Sequence, residues 1–179
     1  MTAADILQAI RDTYPKCAVV REVSINDTFE AAILNRWRLE GSRTRFWEQY
    51  FRDHDSPVAD EVPDGWNPSE SKPVRRIDAL LRDTSGYTAI EIKVTRADFR
   101  RDTPEKRRAW AAHTRRFIYA TPAGLISPSE VPDGCGHWEF DGRRLTVAKK
   151  ATINKTPLAL PRSVFDSMLY RVSNYERAA

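Results

Sequence analysis

Two short apolar runs joined by a cluster of turn formers restrict this chain more than any other feature. Arg75-Arg76-Ile77-Asp78-Ala79-Leu80-Leu81-Arg82 and Tyr87-Thr88-Ala89-Ile90-Glu91-Ile92-Lys93-Val94 flank Asp83-Thr84-Ser85-Gly86, the pattern of a β-hairpin. Symmetric closure of the turn puts Arg82 opposite Tyr87 and, four rungs on, Asp78 opposite Glu91. Directly opposed residues share a sheet face, with Cβ atoms about 5 Å apart. Two unit charges at that spacing repel by about 1 kcal/mol in water and about 3 kcal/mol at an effective dielectric of 20. A divalent cation between the carboxylates would reverse the sign. Alternation also sends Glu91 and Lys93 to one face while Ile90, Ile92 and Val94 take the other, so an ammonium stands beside the acidic pair.

The rest of the chain predicts an α/β domain. Thr2-Ala3-Ala4-Asp5 reads as a capping box on a helix with Ile6, Leu7 and Ile10 as its apolar stripe, ended by Pro15. Cys17 to Ile25 reads as a strand, with Cys17, Val19, Val23 and Ile25 on one parity and Ala18, Val20, Glu22 and Ser24 on the other. Residues 26–74 read as an insertion: helical spacing in Phe29, Ile33, Leu34 and Trp37 and again in Arg43, Phe46, Trp47, Tyr50 and Phe51, then a loop punctuated by Pro57, Pro63, Pro68 and Pro73. Beyond the hairpin, Thr95 can cap a short turn and Thr103-Pro104-Glu105 opens a helix through about His113. A strand follows around Phe117-Ile118-Tyr119-Ala120, and Ser127-Pro128-Ser129-Glu130 reads as a capping box on another short helix. A second hairpin spans His137–Phe140 and Leu145–Lys150, and a final helix carries the stripe Val164, Phe165, Met168, Leu169 and Val172.

Composition limits the functional classes. With 29 Lys and Arg against 25 Asp and Glu, the net charge is +4 and the pI about 9.2, a mild prior for a polyanionic partner. Residues 96–116 concentrate that charge: Arg96, Arg100, Arg101, Lys106, Arg107, Arg108, Arg115 and Arg116 face only three acids. Cys17 and Cys135 lack both CxxC spacing and a histidine at a zinc interval, so they read as reduced thiols. Neither a secretory h-region nor a membrane-length apolar run is present, which predicts a cytoplasmic, intracellular protein with no membrane contact.

An acidic pair with a neighbouring lysine suits metal-assisted phosphodiester hydrolysis, because carboxylates are the hard ligands that Mg²⁺ prefers. The order Asp, then Glu-x-Lys on adjacent strands resembles the PD-(D/E)XK nuclease superfamily. Three stretches are closer still: Arg75-Arg76-Ile77-Asp78-Ala79, Glu91-Ile92-Lys93-Val94-Thr95-Arg96-Ala97-Asp98-Phe99, and Gly124-Leu125-Ile126-Ser127-Pro128-Ser129-Glu130-Val131-Pro132-Asp133-Gly134-Cys135-Gly136. They resemble the MmcB-like DNA repair family and related phage and actinobacterial nuclease-like proteins over roughly residues 74–151. Ile77 stands where the superfamily's name puts proline, and residues 26–74 match no part of the family pattern.

The resemblance implies a restriction-endonuclease-like αβββαβ core with a mixed central sheet, occupying residues 1–179 as one domain with the 26–74 insertion. It implies that Asp78 and Glu91 ligate Mg²⁺ or Mn²⁺, with the Ile92 backbone carbonyl as a further ligand, and that Lys93 is the catalytic lysine. Glu22 is a third acid to consider, set against a plain surface role. DNA is the expected partner, contacted by Arg75, Arg76, Arg96, Arg100, Arg101, Lys106 and Arg107. The function expected is a Mg²⁺-dependent DNA endonuclease or repair nuclease. The alternatives are a non-cleaving DNA-binding accessory protein on the same scaffold and a carboxylate-pair hydrolase acting on sugars. Oligomeric state is open, a homodimer being one option.

Overall fold

The computed structural model describes residues 1–42 and 45–178, with side chains as far as Arg171. Arg43, from the second helical stripe of the insertion, and the Val172 side chain, from the last stripe, lie outside the described residues. The chain divides into two compact units, Met1–Ile25 with Arg76–Ala179, and Asn26–Arg75.

The larger unit is an α/β fold built on a six-stranded mixed sheet whose strands lie in sequence order. Its elements are α1 (Ala3–Thr13), β1 (Ala18–Asn26), β2 (Val74–Asp83), β3 (Gly86–Ile92), α4 (Arg96–Arg100), α5 (Pro104–His113), β4 (Arg116–Pro122), β5 (Gly136–Phe140), β6 (Leu145–Lys149) and α6 (Arg162–Ala178); β1 and β2 run at one end into the smaller unit. β3 pairs with β2 antiparallel and with β4 parallel, β4 pairs with β5 parallel, and β5 with β6 antiparallel. The parallel β3–β4 step needs a crossover, which α4 and α5 supply.

Local chemistry sets most boundaries. The Thr2 hydroxyl accepts from the Asp5 N–H and the Asp5 carboxylate from the Thr2 N–H, a complete capping box. Thr95 and Thr103 cap α4 and α5, and Pro104 takes the first helical position, where its missing N–H costs nothing. In the first hairpin the Asp83 carboxylate accepts the Ser85 and Gly86 N–H groups at 2.7 and 3.0 Å. Gly86 has φ +141°, a conformation that a side chain resists. Gly136 is required by packing: a Cβ there would sit 2.5 Å from the Ile118 side chain.

Two apolar clusters cover the two sheet faces. One gathers Leu80, Ala89, Phe117 and Tyr119 under Trp110 of α5 and Val164 of α6. The other gathers Leu81, Ile90, Ile118 and Trp138 against Ile6, Leu7 and Ile10 of α1. Alternation holds through β3 and β4 and fails in β1 and β2. Cys17, just before β1, and Val19 within it pack on the α1 face, whereas Val20, Val23 and Ile25 pack on the other. The single parity expected for Cys17, Val19, Val23 and Ile25 is therefore corrected. The cause is Glu22, whose φ of +51° interrupts the pleat. In β2, Ile77 and Ala79 stand on opposite faces although two residues apart, so this strand changes face beside Asp78.

Two further expectations change. Residues 127–130 form hydrogen-bonded turns and no helix: the Ser127 N–H donates to Glu130 at 2.8 Å, but the chain turns away before a second helical turn. In α6, Val164 is buried and Met168 packs on the core, whereas Phe165 and Leu169 are exposed, so the apolar stripe is narrower than its spacing implies.

The smaller unit holds α2 (Thr28–Gly41) and α3 (Arg45–Asp53) followed by an irregular segment. Asp27 caps α2. Asn35 donates to the Pro57 carbonyl at 2.8 Å, and the Trp66 indole to Glu30 at 3.2 Å, tying the proline-rich loop to α2. In α3, Trp47 stacks on Phe51 and Tyr50 meets both rings edge-on, while Phe46 is exposed. Among the described residues of the whole chain no helix is long and apolar enough to cross a membrane.

Candidate functional site

The β2–β3 register runs from Asp83↔Gly86 to Ala79↔Ile90 on the expected diagonal. Regular pairing stops one rung short of Asp78 and Glu91, which corrects the expectation of a directly opposed pair. At that point the Asp78 carboxylate itself accepts the Ile92 N–H at 2.7 Å, a side chain taking the place of a ladder carbonyl.

Asp78 also lines a cleft of about 330 Å³ with Ala3, Leu7, Arg11, Glu22 and Ile92. The two strand irregularities, at Glu22 and at Asp78, thus open on the same hollow beside α1. Glu22 is more than half exposed, and its carboxylate lies 3.9 Å from Arg171.

Glu91 of β3 and Lys93, just past its end, project toward α4 and α5, and both are buried, at 3% and 4% exposure. The Lys93 ammonium is 3.0 Å from Glu91 Oε1, 3.5 Å from Asp98 and 4.0 Å from Asp102 Oδ1. Lys106, in the first turn of α5, contacts the same Glu91 oxygen and lies 3.6 Å from Asp102 Oδ1. Asp102 is the second hub. Its Oδ2 takes the Arg107 guanidinium at 2.8 Å and the Tyr119 hydroxyl, while its buried Oδ1 receives no hydrogen bond.

The protonation equilibria follow from this packing. Burial first, and the charge of Asp78 second, push the Glu91 carboxyl above the usual carboxylate range, against the pull of Lys106 and Lys93. Burial alone would lower Lys93, but Glu91, Asp98 and Asp102 outweigh it and hold the ammonium above its ordinary value. Burial and the bond to Asp102 likewise raise Tyr119.

The donor set fits a hard divalent cation. Asp78 accepts the N–H of Ile92, the residue that follows Glu91, at 2.7 Å, and an ammonium already occupies the positive position at Glu91. Among the described residues no three Asp, Glu, His or Cys side chains are grouped to hold a metal ion. The protein would therefore supply Asp78, Glu91 and the Ile92 carbonyl at most, in keeping with the few protein ligands that Mg²⁺ takes beside water and substrate phosphate.

The predicted DNA-contacting residues separate into two groups. Arg76, Arg100 and Arg101 are exposed, Arg101 at 77% of its side chain. Arg101 also lies 3.7 Å from Asp98, and the other four have partners within the fold, Arg96 while still exposed. Arg75 belongs to the smaller unit and lies 3.6 Å from Asp27. Arg96 donates to the Leu125 carbonyl at 2.9 Å and pairs with Glu130, clamping the 123–134 turns. Arg107 is spent on Asp102 and Tyr119, and Lys106 on Glu91. A run of basic residues on a short helix must point in all directions, and in α5 Lys106 and Arg107 meet the buried acids Glu91 and Asp102.

Sequence reasoning missed Asp102 and Tyr119 as members of the cluster. The one available signal was the i,i+4 spacing of Asp102 and Lys106 across a helix start, which fixes their proximity but not their burial.

No family model matches the chain, and no curated protein does. A solved structure of a protein of unknown function from Silicibacter pomeroyi superposes with a TM-score of 0.46 at 19% sequence identity, over 57% of this chain and 69% of that one.

Proposed function

We propose that this chain is a cytoplasmic, divalent-metal-dependent DNA nuclease of the PD-(D/E)XK kind, serving DNA repair, with Asp78 and Glu91 as ligands and Lys93 as the catalytic lysine. One observation carries the reading: a glutamate and a lysine, both almost wholly buried, lie 3.0 Å apart on either side of Ile92, whose N–H donates to a second carboxylate, Asp78, at 2.7 Å. Buried ion pairs are a poor means of stabilising a fold, since apolar residues of the same volume do as well or better. Strongly perturbed acids and bases gather where chemistry is done.

A divalent cation held by Asp78 and Glu91, with the Ile92 carbonyl, would supply Lewis-acid polarisation of the scissile phosphodiester. Lys93, kept protonated by three carboxylates, cannot accept a proton at neutral pH. Its part is electrostatic: a fixed ammonium that orients an incoming oxygen and stabilises charge developing on the phosphate. Asp98 and Asp102 hold that ammonium in position. The exposed Arg76, Arg100 and Arg101 provide backbone attraction without sequence preference.

The test is incubation of plasmid and single-stranded DNA with Mg²⁺ or Mn²⁺, comparing wild type with Asp78→Ala and Lys93→Ala. Cleavage lost in both variants is expected; robust cleavage unchanged in either would overturn the assigned roles. A non-cleaving DNA-binding protein is the second reading, favoured by the two ammonium groups that already neutralise Glu91. DNA binding with no cleavage of any DNA form would select it.

A further inference from the structure

On the reading of Asp78 and Glu91 as ligands of a divalent cation, we propose that Lys106 is a tethered counter-ion that occupies Glu91 in the unloaded protein, competes with the cation for it, and transfers to Asp102 when the cation binds. Two ammonium groups meet one oxygen of a carboxylate that carries one charge. They are not equivalent. Lys93 extends from the sheet, is 5% exposed along its side chain and has three acidic neighbours, so it is fixed. Lys106 reaches in from a helix, is 35% exposed along its side chain and ends on a flexible four-carbon stem.

When Lys106 leaves, Glu91 keeps Lys93, so no buried charge is stranded. A receiving site is already present. Asp102 Oδ1 is buried, lacks a hydrogen bond and lies 3.6 Å from the Lys106 nitrogen, so a small rotation of the stem exchanges one carboxylate for the other. The exchange supplies cation-dependent access to Glu91 with no movement of the backbone. It also means that the apparent affinity for a cation is reduced by the fraction of time Lys106 spends on Glu91.

The test is Mn²⁺ titration followed by the paramagnetic resonance signal of free Mn²⁺, using the full chain as wild type, Lys106→Gln, Lys106→Arg and Glu91→Gln. Lys106→Gln is expected to bind Mn²⁺ roughly tenfold tighter or more, Lys106→Arg to stay near wild type, and Glu91→Gln to abolish binding. Lys106→Gln binding no tighter than wild type, with Glu91→Gln still abolishing it, would end the role of Lys106 and leave the metal site standing. Binding by none of the chains above the Glu91→Gln level would remove both. Should Lys106→Gln fail to fold, the wild-type chain alone decides. Mg²⁺ titration is expected to shift the Lys106 ammonium nitrogen resonance and to leave Lys155, on an exposed turn, unmoved; no shift at Lys106 overturns the proposal.

Discussion

The two compact units of this chain spend their charged and aromatic residues in opposite ways. Asn26–Arg75 has seven basic against ten acidic residues, whereas the rest of the chain has 22 against 15. The acidic unit keeps its rings near the surface: Phe29, Trp37, Phe46 and Tyr50 are exposed, and among its described residues only Ile33 and Phe51 are buried large apolar side chains. The basic unit buries Trp110 and Tyr119 completely and then buries Glu91, Lys93 and Asp102 beside them. A short helical insertion has too little interior to hide its aromatics. A six-stranded sheet covered on both faces has interior enough to desolvate ions, and that is where perturbed protonation arises.

The sharpest way to break this contrast is at the buried ring. Trp110→Ala is expected to cost about 3–5 kcal/mol of stability in denaturant titration, against about 1 kcal/mol or less for Phe46→Ala; equal losses would mean that the smaller unit has a core its packing does not reveal. Next in size is Lys93→Ala, expected to reduce Mn²⁺-dependent DNA cleavage by about 10²–10³-fold while Arg52→Ala in the acidic unit leaves it unchanged. Tyr119→Phe removes a hydroxyl that donates to Asp102 and accepts from Arg107 at 3.2 Å, and should cost about 1–3 kcal/mol.

The linkage of Lys93 has a definite sign. Its folded pKa lies above the unfolded value of 10.5, so the stability it contributes is complete below pH 10.5 and is lost as pH rises through the higher folded value. The stability gap between wild type and Lys93→Met should therefore be flat at neutral pH and close only in strongly alkaline buffer. A gap closing near neutral pH would show that burial outweighs the three acids. The smallest effect expected is electrostatic: Arg101→Gln should lower the salt-dependence slope of DNA binding by about 1, and Arg36→Gln in the acidic unit should leave it unaltered.

Much of the site was legible because the interactions that make it are local. The turn at Asp83–Gly86 fixes the rungs from Ala79 to Asp83 without help from the rest of the fold. Thr95 and Thr103 announce α4 and α5 through a hydroxyl and an N–H three residues apart. Asp78 escaped the same logic. The parity rule assumes an unbroken pleat, and both β1 and β2 break it, one at the left-handed Glu22 and one beside Asp78, where a carboxylate takes over a backbone hydrogen bond. The partners of Lys106 and Arg107 escaped for another reason. Charge along a helix is visible in sequence, but which positions face a buried acid depends on the strand beneath.

Sequence by itself determined the order of the strands and of the helices α1 to α6, the caps of α1, α4 and α5, the hairpin rungs from Ala79 to Asp83, the basic segment after β3 and the juxtaposition of Glu91 with Lys93 two residues on. Each of these rests on groups within a few residues of one another, so short-range geometry suffices. Tertiary structure alone decided that Glu91, Lys93 and Asp102 are withdrawn from water, that Lys106 serves Glu91, and that Arg96 and Arg107 are structural partners. The reason is desolvation: its cost depends on what packs over a charge, and α4, α5 and β4 come together over this one only when the sheet has closed.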